Sequence, residues 1–118
     1  MLIRLDPQSD AAIFDQIAAS IRADLAAARL RPGDRLPAAR DVAGALGVNL
    51  HTVLRAYQEL RDEGLVEMRR GRGATVTDAA TPLAELHADV VALAAKARRL
   101  GLSPDTLASL VKETADGR

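Results

Sequence analysis

Apolar side chains in the first half of the chain follow a helical spacing. The first stripe consists of Phe14, Ile17, Ile21, Leu25 and Ala28. Because these residues are three or four positions apart, they predict a helix over 11–29 with Asp10 as its N-cap. Turn residues at 31–34 end this helix, and a shorter apolar pattern predicts a second helix over 38–46.

A short turn joins the second predicted helix to a third. Gly47 ends the second helix, Val48 is expected to be buried in the turn, and Asn49 is expected to cap the third helix. The third helix is predicted to run to about residue 63, where Gly64 ends it. Its inward face consists of Val53, Ala56, Tyr57 and Leu60. Its outward, polar face consists of His51, Arg55, Gln58 and Asp62, flanked by Thr52 and Leu54.

The alternating pattern after the third helix predicts a β-hairpin. Strands are expected over 65–69 and 74–77, joined by a tip over 70–73 whose glycines supply positive φ. Residues 35–36 are expected to add a short strand, and residues 2–5 are expected to form either a short strand or an ordered arm. The predicted fold class is therefore mainly α with a small β-hairpin, in the order of a winged helix-turn-helix.

Two further helices are predicted after the hairpin. Thr81 is expected to cap a fourth helix with Pro82 as its first residue, and Ser103 caps a fifth that runs to about residue 113. An apolar stripe with heptad spacing favours a homodimer interface over packing within the same chain. The predicted domains are a winged helix-turn-helix over 1–78 and a two-helix dimerisation region over 79–118. The expected interface residues are Leu83, Leu86, Val90, Leu93, Ala97, Leu100, Leu107 and Leu110.

Composition excludes several classes of protein. The chain has 118 residues and no cysteine, so neither a disulfide framework nor a thiolate metal site is expected. It has no apolar run as long as a membrane span and no signal peptide, so a cytoplasmic location and no membrane partner are expected. No nucleophile–base pair, P-loop, paired carboxylates or metal-ligand spacing is present. We therefore expect no catalytic residue, metal or cofactor, and we do not expect an enzyme.

Basic residues are unevenly distributed although the formal net charge is zero. Sixteen Lys and Arg balance sixteen Asp and Glu, which counts against a DNA-binding protein. However, the sequence RRGRG at 69–73 places three arginines together without an acid, and a neutral protein can still present a local positive face. This hairpin tip is either a solvated turn or a contact to phosphate or the minor groove.

The polar face of the third helix suits the major groove of DNA. Arg55 can donate two hydrogen bonds to guanine, and His51 and Thr52 can contact base edges. A polar helix face alone is usually just solvated, but the preceding helix, the short turn and the arginine-rich hairpin together favour DNA binding. The expected DNA-binding residues are Arg40, Asn49, His51, Thr52, Arg55, Arg70, Gly71, Arg72 and Gly73.

Several alternatives stay open. Arg40, in the first turn of the second helix, either pairs with Asp41 or Asp34 or faces the DNA backbone. The chain is either a DNA-binding regulator or a winged-helix module for protein interaction, which its neutral charge would favour. A third possibility is a sensor with a site at the dimer tail for a small-molecule effector of unknown identity.

Sequence motifs across 13–76 resemble the GntR family of bacterial transcription regulators, and most closely its YtrA subfamily. These motifs are IFDQI at 13–17, LRPGDRLP at 30–37, RDVA at 40–43, LGVN at 46–49, TV at 52–53, RAY at 55–57, Leu60, EGLV at 63–66 and RGRG at 70–73. The resemblance implies a repressor dimer. It also implies DNA contacts by Arg40, by the start of the third helix, and by Arg70, Gly71 and Arg72. A twofold dimer would place two copies of the third helix about one turn of double-stranded DNA apart, so the operator is expected to be an inverted repeat.

The chain departs from this family pattern at three positions. Ala38 replaces the usual serine cap of the second helix, which is expected to cost that helix about 1 kcal/mol. Leu50 and Leu54 stand where many or some members carry arginine. Base recognition is therefore expected to depend on His51, Thr52 and Arg55.

Overall fold

A computed structural model describes residues 3–71 and 73–117 of the chain. It contains five helices and one two-stranded hairpin in this described part. The chain divides into two compact units, Met1–Glu85 and Leu86–Arg118, and the division falls inside the fourth helix. The elements are α1 (Ile13–Ala26), α2 (Ala39–Leu46), α3 (Leu50–Asp62), β1 (Val66–Arg69), β2 (Gly73–Val76), α4 (Ala80–Arg99) and α5 (Pro104–Ala115). The predicted fold class is confirmed.

The core of the first unit is built from the predicted apolar faces. Ile17, Ile21 and Leu25 of α1 are completely buried, as the helical spacing predicted. The four inward residues predicted for α3 are buried as well, and they belong to the same cluster as the α1 residues. Removing this much aliphatic surface from water supplies most of the driving force for folding the unit. The outward face of α3 is therefore fixed by the burial of its inward face.

The beginning of α1 differs from the prediction. Asp10 does not cap the helix, which starts at Ile13 with Ala12 in the N-cap position and no side-chain cap. A local turn explains the difference, because the Ser9 hydroxyl accepts the Ala11 N–H at 3.1 Å. Of the predicted strand or arm at 2–5, residue 2 lies outside the described residues, and 3–5 form an arm rather than a strand. The Arg4 N–H donates to Ser20 Oγ at 3.1 Å.

The end of α1 also comes earlier than predicted. The helix stops at Ala26, and Ala28 adopts a left-handed conformation with φ of 60°. The Arg29 N–H donates to the Asp24 carbonyl oxygen at 2.9 Å, and the Ala28 N–H donates to the Leu25 carbonyl oxygen at 3.1 Å. This pair of bonds is a Schellman motif, which reverses the chain before Leu30 enters the core. Ala28 is consequently exposed and is not part of the apolar stripe.

The turn between α2 and α3 follows the prediction closely. Ala38 occupies the N-cap of α2 without a side-chain hydrogen bond, and the helix begins at Ala39, one residue after the predicted start. Gly47 ends α2 with φ of 68°, a left-handed conformation in which a residue with a side chain would be strained. Val48 is only half-buried, although it packs against the core. The side chain of Asn49 caps α3, because its Oδ1 accepts the His51 N–H at 2.8 Å.

The hairpin formed by β1, β2 and the intervening tip is called the wing here. Its register pairs Val66 with Val76 and Arg69 with Gly73. The predicted short strand at 35–36 is present as a bridge between Arg35 and Thr75. These main-chain bonds attach the wing to the segment that precedes α2, so the wing and the helix-turn-helix form one unit.

The start of α4 lies upstream of the prediction. The helix begins at Ala80, so Thr81 is inside it and Pro82 is its third residue. Thr77 lies in the turn before the helix, where its Oγ1 accepts the Ala79 N–H at 3.3 Å. Proline is tolerated here because the first four N–H groups of a helix have no partner within the helix. A proline therefore marks the first turn without fixing the first residue.

The second unit contains the rest of α4 and all of α5. Gly101 ends α4, and the Leu102 N–H donates to the Ala97 carbonyl oxygen at 2.9 Å. Ser103 caps α5 as predicted, because its Oγ accepts the Thr106 N–H at 3.1 Å. The helix continues two residues beyond the predicted end, to Ala115. No helix in residues 3–71 or 73–117 is long and apolar enough to traverse a lipid bilayer.

Candidate nucleic-acid interface

The outward face of α3 carries the side chains that the sequence predicted. His51, Arg55 and Gln58 are exposed, and Thr52 is half-buried at the flank. The opposite side of the helix is held in the core, so rotation of α3 about its axis would expose apolar surface. The structure therefore presents one polar surface, beginning at the helix N-terminus, to a ligand outside the chain.

Asn49 has a defined local role at the start of this surface. Its Oδ1 accepts the His51 N–H, which satisfies one of the free donors of the first turn. Its side-chain amide nitrogen donates no hydrogen bond within 3–71 and 73–117. The oxygen is thus used by the fold, and the nitrogen is left as a donor beside the helix N-terminus.

Arg55 makes a contact that the sequence did not indicate. Its Cζ lies 3.8 Å from the centroid of the Phe14 ring, within the distance of a cation–π contact. The sequence placed Phe14 in the apolar stripe of α1, and it is indeed half-buried against the core. The contact joins α1 and α3, and no local spacing could have predicted it.

A second contact between the same two helices is ionic. The guanidinium of Arg22 donates to Glu63, with Nε 2.9 Å from Oε1, and its Nη2 lies 3.5 Å from the Glu59 carboxylate. The hydrogen bond with Glu63 raises the pKa of Arg22 above the ordinary value of an arginine. This pairing engages Glu59 and the C-cap residue Glu63 on the α1 side, whereas Asp62 pairs with Arg61.

Arg40 is exposed in the first turn of α2. The ion pair with Asp41 or Asp34 that the sequence left open is not formed in the described part of the chain. Instead, Asp34 Oδ2 accepts the Arg31 N–H at 2.9 Å. The Arg40 guanidinium is therefore available to an external anion.

The wing arginines are not equivalent. Arg69 forms an ion pair with Glu67, with Nη2 2.7 Å from Oε1. Arg70 is exposed and has no acidic partner among the residues that the structure describes. Gly71 turns the tip with φ of 81°, and Gly73 opens β2 with φ of 68°. The predicted contact residue Arg72 lies outside the described residues.

The predicted dimer stripe divides into covered and uncovered residues. Leu83 packs against the core of the first unit, and Ala97 is only 5% exposed in a single chain. Neither residue therefore presents the free apolar side chain that the sequence predicted. Leu107 is half-buried. The uncovered part, called the α4 stripe here, consists of Leu86, Val90, Leu93 and Leu100, with exposures of 54%, 52%, 44% and 67%. Val91 and Leu110 are also more than half exposed, and the sequence had not singled out Val91.

Comparison with known proteins shows the family to which the chain is similar. The family model described as bacterial regulatory proteins, gntR family, matches residues 13–76, which include α1 to α3 and the wing. The HTH-type transcriptional repressor YtrA of Bacillus subtilis is 38% identical over 85 residues, which are 71% of this chain and 65% of that protein. The HTH-type transcriptional regulator Rv1152 of Mycobacterium tuberculosis is 39% identical over 102 residues, 86% of this chain and 84% of that protein.

A solved structure agrees with these sequence matches. YtrA from Sulfolobus acidocaldarius, a GntR-family transcription factor, aligns with a TM-score of 0.61 and 40% identity, covering 65% of this chain and 81% of that chain. These relatives are transcription regulators rather than enzymes. The matched region contains the helix-turn-helix formed by α2 and α3, a motif whose second helix lies in the major groove of double-stranded DNA in proteins that use it. The chain therefore belongs to the GntR family of DNA-binding transcription regulators, with relatives of the YtrA type.

Proposed function

We propose that this chain acts in the cytoplasm as a homodimeric transcription repressor that binds an inverted-repeat operator. The observation that supports it best is the outward face of α3, which carries the exposed Arg55 and His51. Arg40 and Arg70 are also exposed and have no ion-pair partner among the described residues. Arginine without an acidic partner is the side chain best suited to phosphate and guanine. The fold supplies the scaffold, and the side chains supply the recognition.

The proposed contacts separate into two groups. Arg40 and Arg70 neutralise phosphates on either side of α3, together with Arg72. His51, Thr52 and Arg55 meet base edges in the major groove. Asn49 caps α3 and donates from its amide nitrogen to the DNA backbone. Gly71 and Gly73 have no side chains of their own, which lets the main chain at these two positions approach a phosphate closely.

The proposed dimer uses the α4 stripe. Three aliphatic side chains exposed along one helix, with Leu100 exposed directly after its end, favour association with a second copy. A twofold axis would place the two copies of α3 about 34–36 Å apart, or one turn of DNA, so each copy would read one half of an inverted repeat. Repression, rather than activation, is proposed because the Bacillus subtilis relative is described as a repressor.

The proposal is tested by selecting DNA with the purified full-length protein. We expect a random duplex pool to yield an enriched inverted repeat, and we expect light scattering at micromolar concentration to give the mass of a dimer. A reporter gene placed behind the selected sequence should be expressed less in cells that contain the protein. Failure to retain any duplex at physiological salt would contradict DNA binding and favour a protein-interaction module. Increased reporter expression would contradict repression but would leave DNA binding and the dimer in place.

A further inference from the structure

We propose that Phe14 is a positioning residue for DNA recognition, because its ring holds the guanidinium of Arg55 on the outward side of α3. Phe14 would not touch DNA itself. The inference rests on the proposed function, in which Arg55 contacts a base. It adds α1 to the recognition surface, since the residue that orders the arginine belongs to a helix that otherwise only supports α3.

The geometry defines the contact. The Cζ atom of Arg55 lies over the Phe14 ring, 3.8 Å from its centroid, well inside the limit of about 6 Å for an attractive cation–π contact. Arg55 has no ion pair and donates no hydrogen bond within 3–71 and 73–117. The face of the aromatic ring is thus its only specific partner in that part of the chain, and its N–H donors are not consumed by the protein.

The ring is a fixed platform. Phe14 is half-buried in the first turn of α1 and packs against the cluster that contains Ile17 and Ile21. It is also the only phenylalanine in the chain. A ring anchored in the core cannot follow a mobile arginine, so the contact restricts the arginine to one region above the ring.

Ordering Arg55 before binding has a direct effect on affinity. A free arginine side chain loses much of its rotamer freedom when it binds a base edge. If the ring has already restricted that freedom, less is lost on binding, and the bound state is favoured by preorganisation. Lysine cannot substitute, because its compact ammonium lacks the planar face that stacks and the two parallel donors that pair with guanine.

The same geometry would also allow the opposite role, in which the ring holds Arg55 away from DNA. We favour positioning because Arg55 remains exposed on the polar face of α3 while it is stacked. The two roles predict opposite signs for the loss of the ring, so the experiment below separates them.

The test is a double-mutant cycle on the full-length protein with the operator obtained by selection. The variants are Phe14→Leu, Arg55→Ala and the combination of both, with Phe14→Tyr as the conservative replacement and Ile13→Ala, at the exposed neighbouring position, as the matched control. Fluorescence anisotropy gives the Kd for operator and for random duplex, and circular dichroism confirms that each variant is folded. Phe14→Met replaces Phe14→Leu if the leucine variant does not fold.

We expect Phe14→Leu to raise the operator Kd about two- to fivefold, the size of an exposed cation–π contact. We expect a smaller change for random duplex, no change for Ile13→Ala, and recovery by Phe14→Tyr. In the Arg55→Ala background, Phe14→Leu should have no further effect. An equal effect in both backgrounds, no effect, or tighter binding by Phe14→Leu would overturn the positioning role. Unchanged operator binding by Arg55→Ala would instead overturn the base contact on which the inference rests.

Discussion

The hydroxyl group of Tyr57 donates a hydrogen bond of 2.6 Å to the backbone carbonyl oxygen of Pro37. Tyr57 lies on the inward face of α3, and Pro37 immediately precedes the N-cap of α2. The bond therefore connects α3 to the segment that enters α2. Tyr57 is 2% exposed, and burial raises its pKa from the ordinary value of 10.0 to about 12.

This raised pKa predicts a loss of stability at alkaline pH. The folded state keeps the Tyr57 proton more tightly than the unfolded state does, so the stabilisation is complete below pH 10 and disappears as the pH rises through about 12. The single tyrosine of a chain without tryptophan allows a direct measurement by tyrosinate absorbance. We expect a midpoint near pH 12 in the folded protein and near pH 10 in urea. A folded midpoint near pH 10 would contradict the effect of burial.

Tyr57→Phe is the control for that titration. It should lower the free energy of unfolding at neutral pH by about 1 kcal/mol, because the Pro37 carbonyl oxygen loses its donor. It should also remove the part of the alkaline destabilisation that belongs to Tyr57.

The left-handed residue after α1 offers a stabilising substitution. Ala28 has φ of 60°, where a Cβ atom is strained, so Ala28→Gly should raise the free energy of unfolding by about 1 kcal/mol. Ala27 has φ of −82° and is the matched control, for which glycine should lower stability by about 0.5–1 kcal/mol. Urea unfolding monitored by circular dichroism measures both. If both variants lose stability alike, Ala28 does not adopt the left-handed conformation in the folded protein.

Arg55 and Arg70 should respond differently when DNA binding is measured as a function of salt. Arg55→Ala is expected to lose about 1–3 kcal/mol on the operator and to relax base preference. Arg70→Ala is expected to weaken operator and random duplex alike and to reduce the slope of log K against log salt by about one. Arg70→Lys, which keeps the charge, should retain the slope. Equal losses on both DNAs for Arg55→Ala would assign Arg55 to phosphate rather than to a base.

The α4 stripe predicts how the dimer can be disrupted. Leu93→Asp would bury an unpaired carboxylate in the proposed interface, which should destabilise the dimer by about 3 kcal/mol or more. Ala92→Asp adds the same charge to the exposed neighbouring position, outside the predicted stripe, and should leave the dimer intact. Light scattering at micromolar concentration distinguishes the two variants. A dimeric Leu93→Asp variant would place the interface elsewhere, and two monomeric variants would make the effect one of charge rather than position.

The sequence alone determined the features that depend on neighbours along the chain. The inward face of α3 and the Asn49 and Ser103 caps are where the sequence predicted them. The hairpin is also present, with β1 beginning one residue later and β2 lying one residue earlier than predicted. Each arises from a period of 3.6 or 2 residues or from a cap that bonds to a residue two or three positions away. Because both partners of such an interaction lie within a few residues of each other, the interaction can be predicted from the sequence.

Tertiary structure decided which side chains meet across elements. The stacking of Arg55 on Phe14, the bond from Tyr57 to Pro37 and the pairing of Arg22 with Glu63 all join residues far apart in the chain. They depend on how two helices cross, and helical periodicity specifies a face without specifying its partner. The shifted starts of α1 and α4 have a different origin, since local turns precede both helices. Packing between elements decided the apolar stripe, because it covered Leu83 and left Leu93 exposed.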